Sequence, residues 1–507
     1  MALKTNIILI LSVVVLFETQ LCKSEINRID FPNDFYFGTG SSAIQYEGAA
    51  EEDGKGPSVW DTFSHIPGKI TDLSTSGIGV DQYHRYQEDI QLMKDLGTNS
   101  YRLSISWPRI FPNGSGEINQ AGVDHYNKFI NALVAEGIEP FVTLYHWDLP
   151  QVLEDKYNGW LSSEIIKDYA NFAETCFQKF GDRVKFWITM NEPYTVAVQG
   201  YDFGRQAPGH CSLLPSPLFC KIGNSAIEPY IVAHNFIRSH AAAADIYRKR
   251  YKGIQGGSIG TILNALWFVP ATNTERDIVA TQRAKDFMIG WFLDPFVFGD
   301  YPSSMKSRVG IRLPKFSQAE SAIVKGSLDF VGINHFTTYY VKDDSMNITK
   351  RILKDALTDT GAVFLPFNGT HFIGEMTNSL WVFIAPEGIR SLMNYIRLKY
   401  GNLPIFITES GLPDLSTRLI PVRHAYFYLN DLQRIRYHSS YLPSLLASIK
   451  DGCNVKGYFV WALLDNWEWD NGYSARTGLY YVDYTDNLKR YPKKSAVWYK
   501  NFLKPTN

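Results

Sequence analysis

Short runs of apolar and β-branched residues recur along the chain and alternate with longer stretches of helical periodicity. A run of about four to eight such residues between polar or turn residues predicts a buried strand. Eight predicted strands cover residues 35–40, 100–107, 139–145, 184–190, 258–263, 330–334, 405–408 and 455–461. Strands that alternate with helices in this way predict an α/β fold, a single (β/α)8 TIM barrel with its active site at the C-terminal ends of the strands.

Two of the intervening helices are well marked. Residues 81–96 place apolar side chains at helical spacing and stop before Gly97, a common helix terminator. Residues 224–250 form a longer helix that ends in three basic residues, which we interpret as cations at a helix C-terminus rather than a nucleic-acid patch. No linker or repeat indicates a second domain, so we predict one catalytic domain over residues 25–507.

The amino terminus is typical of a secretory signal peptide. Lys4 precedes an apolar stretch over residues 7–17, which is too short to span a membrane and is followed by polar residues. We expect residues 1–24 to be removed, leaving no membrane anchor. Residues 503–507 carry no retention signal, so the cell wall and the vacuole both stay open as destinations. Three N-glycosylation sequons fit this route, at Asn113, Asn347 and Asn368.

The cysteines fit an oxidising compartment. Cys211 and Cys220 bracket a short loop that contains proline, which suits a local disulfide. Cys176 lies in a helical pattern and Cys453 just before a strand, so both are predicted to be buried thiols. Cys22 belongs to the predicted signal peptide. The spacing matches no zinc site, and we predict no metal.

The net charge argues against nucleic acids and anionic membranes as partners, and the glycine spacing does not support a dinucleotide cofactor. The formal net charge is -1 over 507 residues, which gives no electrostatic argument for binding nucleic acid or an anionic membrane. Residues 38–43 imitate a dinucleotide-binding fingerprint, but residues 44–48 do not continue as a convincing helix. We therefore predict no cofactor.

Two glutamates stand at the carboxyl ends of predicted strands. Glu192 ends the run over residues 187–192, and Glu409 ends the run over residues 404–409. Barrel enzymes keep their catalytic groups at this end of the strands. Two carboxyl groups facing one cleft are what retaining glycoside hydrolysis requires.

Other strand ends carry side chains that suit a sugar. One such residue would be a satisfied polar group at a barrel rim, whereas seven strand ends directed at one mouth indicate a binding site. The aromatic fraction of 14% is mostly assigned to the core, with a few rings at this site. The candidates are Gln45, Arg102, His146, Asn191, Asn334, Trp461, Glu468 and Trp469.

These residues lie in motifs that resemble glycoside hydrolase family 1, the retaining β-glucosidase family, and especially its plant members. The similarity extends from Phe35 to Phe502. Residues 207–212, with Cys220 after them, also resemble plant members. The motifs are Tyr46-Glu47-Gly48-Ala49, His146-Trp147-Asp148, Asn191-Glu192-Pro193, Thr408-Glu409 and Asn466-Trp467-Glu468-Trp469.

The resemblance implies that Glu409 is the nucleophile and Glu192 the acid/base. Glu192 must then be protonated, and we expect the neighbouring Glu409 anion to raise its pKa. In this template the two carboxyl groups stand about 5–5.5 Å apart. Arg102 is implied to lie beside Glu409 and keep it ionised. Asn191 and His146 are implied to bind hydroxyls near the reacting carbon, with Asn191 on the 2-hydroxyl.

The resemblance also assigns the rest of the pocket. It implies that Gln45 and Glu468 bind the 3-, 4- and 6-hydroxyls, while Trp461 and Trp469 form the floor and wall. The Glu468 charge would repel a 6-phosphorylated sugar. Trp381 is implied to stack on the aglycone.

Two positions depart from the family pattern. Ser410 follows the nucleophile where family members usually have asparagine, a change from which we expect little effect. Phe336 stands where the family usually has a tyrosine whose hydroxyl binds the nucleophile. Without that donor the pKa of Glu409 is expected to be higher, so we predict a slower enzyme or a narrower substrate range.

The leading hypothesis is a retaining β-glucosidase that removes terminal β-D-glucosyl residues from small aromatic or phenolic glucosides by double displacement. A transglucosidase would use the same two glutamates. A weakly active or non-catalytic sugar-binding paralogue is left open by Phe336. A thioglucosidase is disfavoured, because plant members of that type lack the acid/base glutamate and this chain keeps Glu192. The exact identity of the aglycone and the oligomeric state are not predicted.

Overall fold

A computed structural model describes residues 26–212, 220–347, 354–416 and 420–504. Eight parallel strands close a barrel in which β1 pairs with β8 and β2, and the remaining strands follow in chain order. The predicted fold class is confirmed, and the predicted signal peptide lies outside the described residues. The strands are β1 (Tyr36–Gly40), β2 (Ser100–Ser104), β3 (Glu139–Tyr145), β4 (Phe186–Asn191), β5 (Ser258–Asn264), β6 (Phe330–Asn334), β7 (Ile405–Ser410) and β8 (Val455–Val460).

Helices fill the segments between these strands and pack around the barrel. The longer helices are Gln82–Leu96, Gln120–Ala135, Ile165–Phe180, Glu228–Ile246, Glu275–Lys285, Glu387–Tyr400, Leu432–Lys450 and Lys494–Leu503. The shorter helices are Ala43–Tyr46, Val59–Ser64, Trp107–Ile110, Gln151–Tyr157, Pro193–Thr195, Lys252–Gln255, Trp291–Phe298, Ser303–Val309, Gln318–Val324 and Tyr426–Leu429.

Small antiparallel or mixed sheets decorate the loops outside the barrel. Three strands, Trp267–Pro270, Thr338–Asp343 and Ala362–Leu365, form one of them. The two-stranded sheets pair Glu375–Met376 with Phe383–Ile384, Asp414–Leu415 with Ala475–Arg476, and Tyr480–Asp483 with Lys489–Pro492.

The helix predicted over residues 224–250 ends differently from the prediction. Its regular part is Glu228–Ile246, and a π-helical turn, Tyr247–Tyr251, leads into a further helical turn. The three basic residues lie in the last turn of this π-helical segment, as interpreted from the sequence. Each one also pairs with a carboxylate, as Arg248–Asp329, Lys249–Asp245 and Arg250–Glu174.

The glycines that imitate a dinucleotide fingerprint serve barrel packing. A Cβ at Gly38 would lie 2.5 Å from the ring of Phe459, and a Cβ at Gly40 would lie 3.1 Å from the ring of Trp461. A single helical turn, Ala43–Tyr46, does follow β1, which the sequence did not predict. The glycines thus let neighbouring strands and rings approach closely.

Large apolar side chains fill the interior of the barrel. Phe141 and Phe186 stack with their ring centroids 4.2 Å apart. These rings fill the barrel interior, so the polar residues at the carboxyl ends of the strands line the open end of the barrel. The interior cluster is Phe141, Ile188, Ile262, Phe330, Phe406 and Phe459, with Tyr36 and Phe186 packed against it.

The predicted disulfide is present between Cys211 and Cys220, with a Cα–Cα distance of 5.5 Å. Cys176 and Cys453 are buried thiols, as predicted. The sequon asparagine Asn113 is exposed, whereas those of the other two sequons are partly buried, so their glycosylation stays a prediction. Within the four described segments, no helix is long and apolar enough to cross a membrane, and no acidic, histidine and cysteine cluster could hold a metal ion.

Candidate active site

Both glutamates lie at the carboxyl ends of barrel strands, Glu192 after β4 and Glu409 in β7, and both are buried. Glu192 directly follows β4 and has a φ of 46°, a left-handed conformation that is uncommon outside glycine. Glu409 lies within β7, where its backbone pairs with Asn334 at the end of β6. Backbone strain of the kind seen at Glu192 is found where function fixes a side chain in place.

Neutral donors surround the Glu192 carboxyl group. Asn334 Nδ2 donates to its Oε1 at 2.6 Å, and Thr195 Oγ1 donates to its Oε2 at 2.7 Å. Burial raises the pKa of Glu192, and these two hydrogen bonds oppose the rise. Burial, rather than the charge of Glu409, is thus the main cause of the raised pKa. Thr195 was not predicted, because it lies in a short helical turn after β4 that no strand periodicity marks.

A buried arginine pairs with Glu409. Arg102 Nη1 lies 2.5 Å from Glu409 Oε1, and the arginine side chain is fully buried. Burial raises the pKa of Glu409 to about 8, while Arg102 lowers it and Glu192 raises it. Protonating Glu409 would leave the buried guanidinium of Arg102 without its counter-charge, which is strongly unfavourable.

Arg102 also organises the residues around the two acids. Its Nη2 donates to Asn191 Oδ1 at 2.8 Å, and its Nε donates to Thr143 Oγ1 at 3.1 Å. Asn191 Nδ2 lies 2.9 Å from His146 Nε2. Burial and the charge of Arg102 lower the pKa of His146, which keeps its ring neutral.

Asn334 joins the two halves of this network. Its amide nitrogen contacts Glu192 and also Asn191 Oδ1, the latter at 3.1 Å, while its Oδ1 accepts from Thr408 Oγ1 at 2.8 Å. Because both polar atoms of this side chain are engaged by protein, Asn334 supports the Glu192 carboxyl group. Thr408 precedes Glu409 directly, so the same side chain touches the segments of both acids.

A second polar cluster forms beside the end of β8. Gln45 Nε2 donates to Asn466 Oδ1 at 2.9 Å and lies 3.3 Å from Glu468 Oε2. The other carboxylate oxygen of Glu468 accepts from Trp461 Nε1 at 3.1 Å and from Thr477 Oγ1 at 2.7 Å. These contacts hold Gln45 and Glu468 in fixed orientations. Thr477 was not predicted, because it lies in a loop that no strand periodicity marks.

Aromatic rings enclose the same region. Trp461 and Trp469 are buried, and the ring of Trp469 packs 4.2 Å from that of Trp147 and 5.7 Å from that of His146. Trp381 is different, since 44% of its surface is exposed. The described structure thus gathers the predicted residues at one end of the barrel, with Trp381 at the rim.

Phe336 connects the rim to the buried site. Its ring meets that of Trp381 edge-on, with centroids 5.5 Å apart. Its carbonyl accepts hydrogen bonds from Tyr437 at 3.0 Å and Tyr441 at 3.1 Å. The Tyr437 hydroxyl also lies 3.1 Å from Ser410 Oγ, so both positions that depart from the family pattern share one tyrosine. Among the described residues, Arg102 is the side chain that hydrogen-bonds the Glu409 carboxylate.

Comparison with known proteins identifies close relatives. The family model for Glycosyl hydrolase family 1 matches residues 27–507. β-Glucosidase 40 of Arabidopsis thaliana is 61% identical over 491 residues, covering 97% of this chain and 95% of that protein. β-Glucosidase 6 of Oryza sativa subsp. japonica is 59% identical over 480 residues, covering 94% of this chain and 91% of that protein.

Solved structures are similar over the same length. A rice Os3BGlu6 β-glucosidase mutant in a covalent complex with Glc from GA4GE matches with a TM-score of 0.92 and 58% identity, covering 95% of this chain and 100% of that one. A β-glucosidase from the fungus Humicola insolens in complex with glucose matches with a TM-score of 0.88 and 43% identity, covering 93% and 98% of the two chains.

Proposed function

The chain belongs to glycosyl hydrolase family 1 and is a β-glucosidase, and from this premise we propose that Glu409 is its nucleophile and Glu192 its acid/base. The observation that carries this assignment is the difference between the partners of the two acids. Glu409 faces the buried cation of Arg102, whereas Glu192 accepts hydrogen bonds from two neutral side chains. A nucleophile must be ionised and a general acid protonated. The Arg102 cation favours the ionised form of Glu409, and burial favours the protonated form of Glu192.

In the first step the Glu409 carboxylate attacks the anomeric carbon of the bound glucoside. The bond from that carbon to the glycosidic oxygen breaks, and Glu192 gives its proton to the leaving oxygen. The products are an alcohol, the former aglycone, and a glucosyl ester on Glu409. The covalent complex with Glc formed by the rice relative supports such an intermediate.

In the second step Glu192 acts as a base. Esterification has removed the negative charge of Glu409, so the pKa of Glu192 falls and its carboxylate can take a proton from water. The resulting hydroxide attacks the anomeric carbon and releases the Glu409 carboxylate. Two inversions restore the β configuration of the glucose.

We assign the glucose contacts to the polar and aromatic clusters around the two acids. Asn191 and His146, which belong to the Arg102 network, bind hydroxyls beside the reacting carbon. Gln45 and Glu468, which are held in fixed orientations, bind the hydroxyls on the far side of the ring. Trp461 and Thr477 hold the buried Glu468 carboxyl group in place, so a phosphate added to the sugar would meet an acidic group that cannot move aside.

The aglycone is proposed to be apolar and aromatic. The supporting observation is the exposed face of Trp381 next to the ring of Phe336, which forms an apolar surface at the rim. The Tyr339 hydroxyl donates to the Trp381 carbonyl at 2.5 Å and fixes the backbone that carries this ring. A flat aglycone would gain stacking area on a rigid surface at little entropic cost.

A substitution at the rim tests the nature of the aglycone. In Trp381→Ala we expect the KM for 4-nitrophenyl β-glucoside to rise roughly tenfold, which corresponds to one lost aromatic contact. The KM for methyl β-glucoside should stay within about twofold, because its aglycone is too small to reach the ring. Initial rates for both substrates give the comparison. Leu380→Ala is the matched control, since that neighbour is 89% exposed. Equal losses on both substrates would instead assign Trp381 a purely structural role.

Restoring a hydroxyl at position 336 tests the effect of the missing tyrosine. In Phe336→Tyr we expect kcat/KM to rise roughly tenfold, because a new hydrogen bond to an ionised group stabilises the Glu409 carboxylate. The same bond lowers the pKa of Glu409, so the acid limb of the pH profile should move to lower pH. Phe336→Leu, which adds no hydroxyl, is the control. An unchanged rate and profile in Phe336→Tyr would show that the substitution is neutral.

We further propose that the protein travels through the secretory pathway. The Cys211–Cys220 disulfide supports this route, because disulfides persist in oxidising compartments.

A further inference from the structure

We propose that Asp470 is a positioning residue that holds Trp469, and with it the wall of the glucose site, by clamping two other loops at the mouth of the barrel. The proposal rests on the proposed function in one respect, the assignment of Trp469 to the glucose site. Asp470 itself touches neither of the catalytic glutamates in the described structure, and its contacts are with residues of the loops that follow β1 and β4.

Trp469 needs such support because its backbone is strained. Its φ of 54° lies in the left-handed region, which is unfavourable for a bulky side chain. The strain belongs to a tight turn, in which the Glu468 amide donates to the Gly472 carbonyl at 2.7 Å. Strained residues persist only where the surrounding structure fixes them. The contacts of the next residue, Asp470, supply that constraint.

Four hydrogen bonds converge on Asp470. Its carboxylate accepts from Arg205 Nη2 at 2.9 Å and from Gln206 Nε2 at 3.3 Å, and both donors lie in the loop after β4. Its carbonyl accepts from the amide and the hydroxyl of Thr71, each at 2.8 Å, in the loop after β1. One residue in the loop after β8 therefore joins three loops.

The loops that Asp470 joins are themselves anchored. Gly204 directly precedes Arg205, and its backbone lies so close to the Cys211–Cys220 disulfide that a Cβ there would collide with a sulfur atom. On the other side, Asp72 Oδ2 accepts from the Tyr473 amide at 2.7 Å, next to Thr71. Through Asp470, Trp469 is thus connected to two loops that the disulfide and the Asp72–Tyr473 hydrogen bond hold in place.

The clamp is suited to local positioning more than to overall stability. Its arginine side chain is 64% exposed and its aspartate 13% exposed, and partly exposed ion pairs add little to the stability of a fold. Losing it should therefore release Trp469 without unfolding the barrel. A looser wall weakens the binding of the glucosyl group in every substrate, whatever its aglycone, and leaves the two acids where they are.

The experiment compares wild type with Asp470→Ala on 4-nitrophenyl and methyl β-glucosides. We expect KM to rise about fivefold on both substrates by the same factor, with kcat within about twofold, since the contacts with Arg205 and Gln206 are lost while the two bonds to the carbonyl of residue 470 remain. Binding of free glucose, measured by calorimetry, should weaken by a similar factor. The pH profile should not move, because Asp470 does not contact Glu192 or Glu409.

Two further variants separate positioning from a general defect. Arg205→Ala should raise KM as well, and the double variant should be no worse than Asp470→Ala alone, since Asp470→Ala already removes the pair with Arg205. Asp451→Ala, which breaks the surface pair with Arg390 on the outer helices, should leave KM unchanged.

Two results would contradict the proposal that Asp470 positions Trp469. Unchanged glucose binding in Asp470→Ala would show that Trp469 does not depend on Asp470. Factors that differ between the two aglycones would place Asp470 on the aglycone side instead. Glucose binding can be measured without turnover. An inactive wild type would therefore contradict the proposed hydrolysis, while glucose binding in Asp470→Ala would still decide whether Asp470 positions Trp469.

Discussion

Glu409→Ala is expected to lose hydrolysis of 4-nitrophenyl β-glucoside by on the order of 10⁴-fold or more, because no other group can form the glucosyl ester. Glu192→Ala should lose about 10²–10⁴-fold, the usual contribution of a general acid or base. Its loss should fall mainly on the second step, since nitrophenolate leaves without needing a proton. Both losses are measured as kcat and kcat/KM on purified protein whose folding is checked by circular dichroism.

Azide distinguishes the two roles. In Glu409→Ala azide can occupy the space of the carboxylate and attack the glucoside directly, giving α-glucosyl azide by a single inversion. In Glu192→Ala it can attack the glucosyl ester without a base, giving β-glucosyl azide. The configuration of each product is read by nuclear magnetic resonance.

Glu139→Gln serves as the control for that pair. This carboxyl group begins β3 at the opposite end of the barrel, and burial raises its pKa as well. Its replacement should leave activity unchanged. Products with the reverse configurations would exchange the two roles. A folded wild type that binds glucose and releases no nitrophenol would favour the non-catalytic alternative.

Arg102→Gln should have the second largest effect, a fall in kcat/KM of roughly 10²–10³-fold. The variant removes the cation that pairs with Glu409 and the donor that holds Asn191. The sign of the accompanying pH effect follows from the required ionisation of the nucleophile. Arg102 lowers the pKa of Glu409, so its loss raises that pKa, and activity on the acid side should disappear at a higher pH than in wild type.

The pH dependence of kcat/KM measures this shift in the free enzyme. Arg102→Lys keeps the charge and should keep the acid limb close to that of wild type while losing part of the rate, because a lysine cannot reproduce two directed contacts. Arg109→Gln is the matched control, since Arg109 is equally buried and pairs with Glu47 at 2.9 Å. It should lower stability without moving the acid limb. A limb that stays in place in Arg102→Gln would mean that another group sets the ionisation of Glu409.

The barrel could be predicted because each strand carries its own signal. Strands buried on both faces form continuous apolar runs, and polar residues at their ends mark the active face. The ends of the strands were predicted less accurately. The second strand was predicted over residues 100–107, but β2 ends at Ser104 and residues 105–107 lie in the following turn and helix. The site residues on or directly after strands, such as Arg102 and Glu192, could be placed for the same reason.

The parts that could not be predicted depend on where loops meet. Thr195 and Thr477 support the two clusters from loops and short turns, whose paths the strand pattern does not determine. The left-handed backbone of Trp469 has no sequence signal, because a large aromatic residue does not ordinarily adopt that conformation. The cause of the raised pKa of Glu192 also required the structure, since burial of an individual carboxyl group is a property of the assembled mouth.

The apolar cluster inside the barrel has a consequence for how substrates enter and products leave the active site. Because Phe141, Phe186 and their neighbours fill the barrel interior in the described structure, the two parts of the substrate enter and leave on the side where the strands end. The aglycone, nearer to that opening, departs first, and whatever takes up the glucosyl group must arrive through the space that it vacates. Kinetics should accordingly be ping-pong, with glucose as the last product to leave. An alcohol that stacks well at the same rim would compete with water for the ester, so one apolar surface would govern both the choice of substrate and the ratio of transfer to hydrolysis.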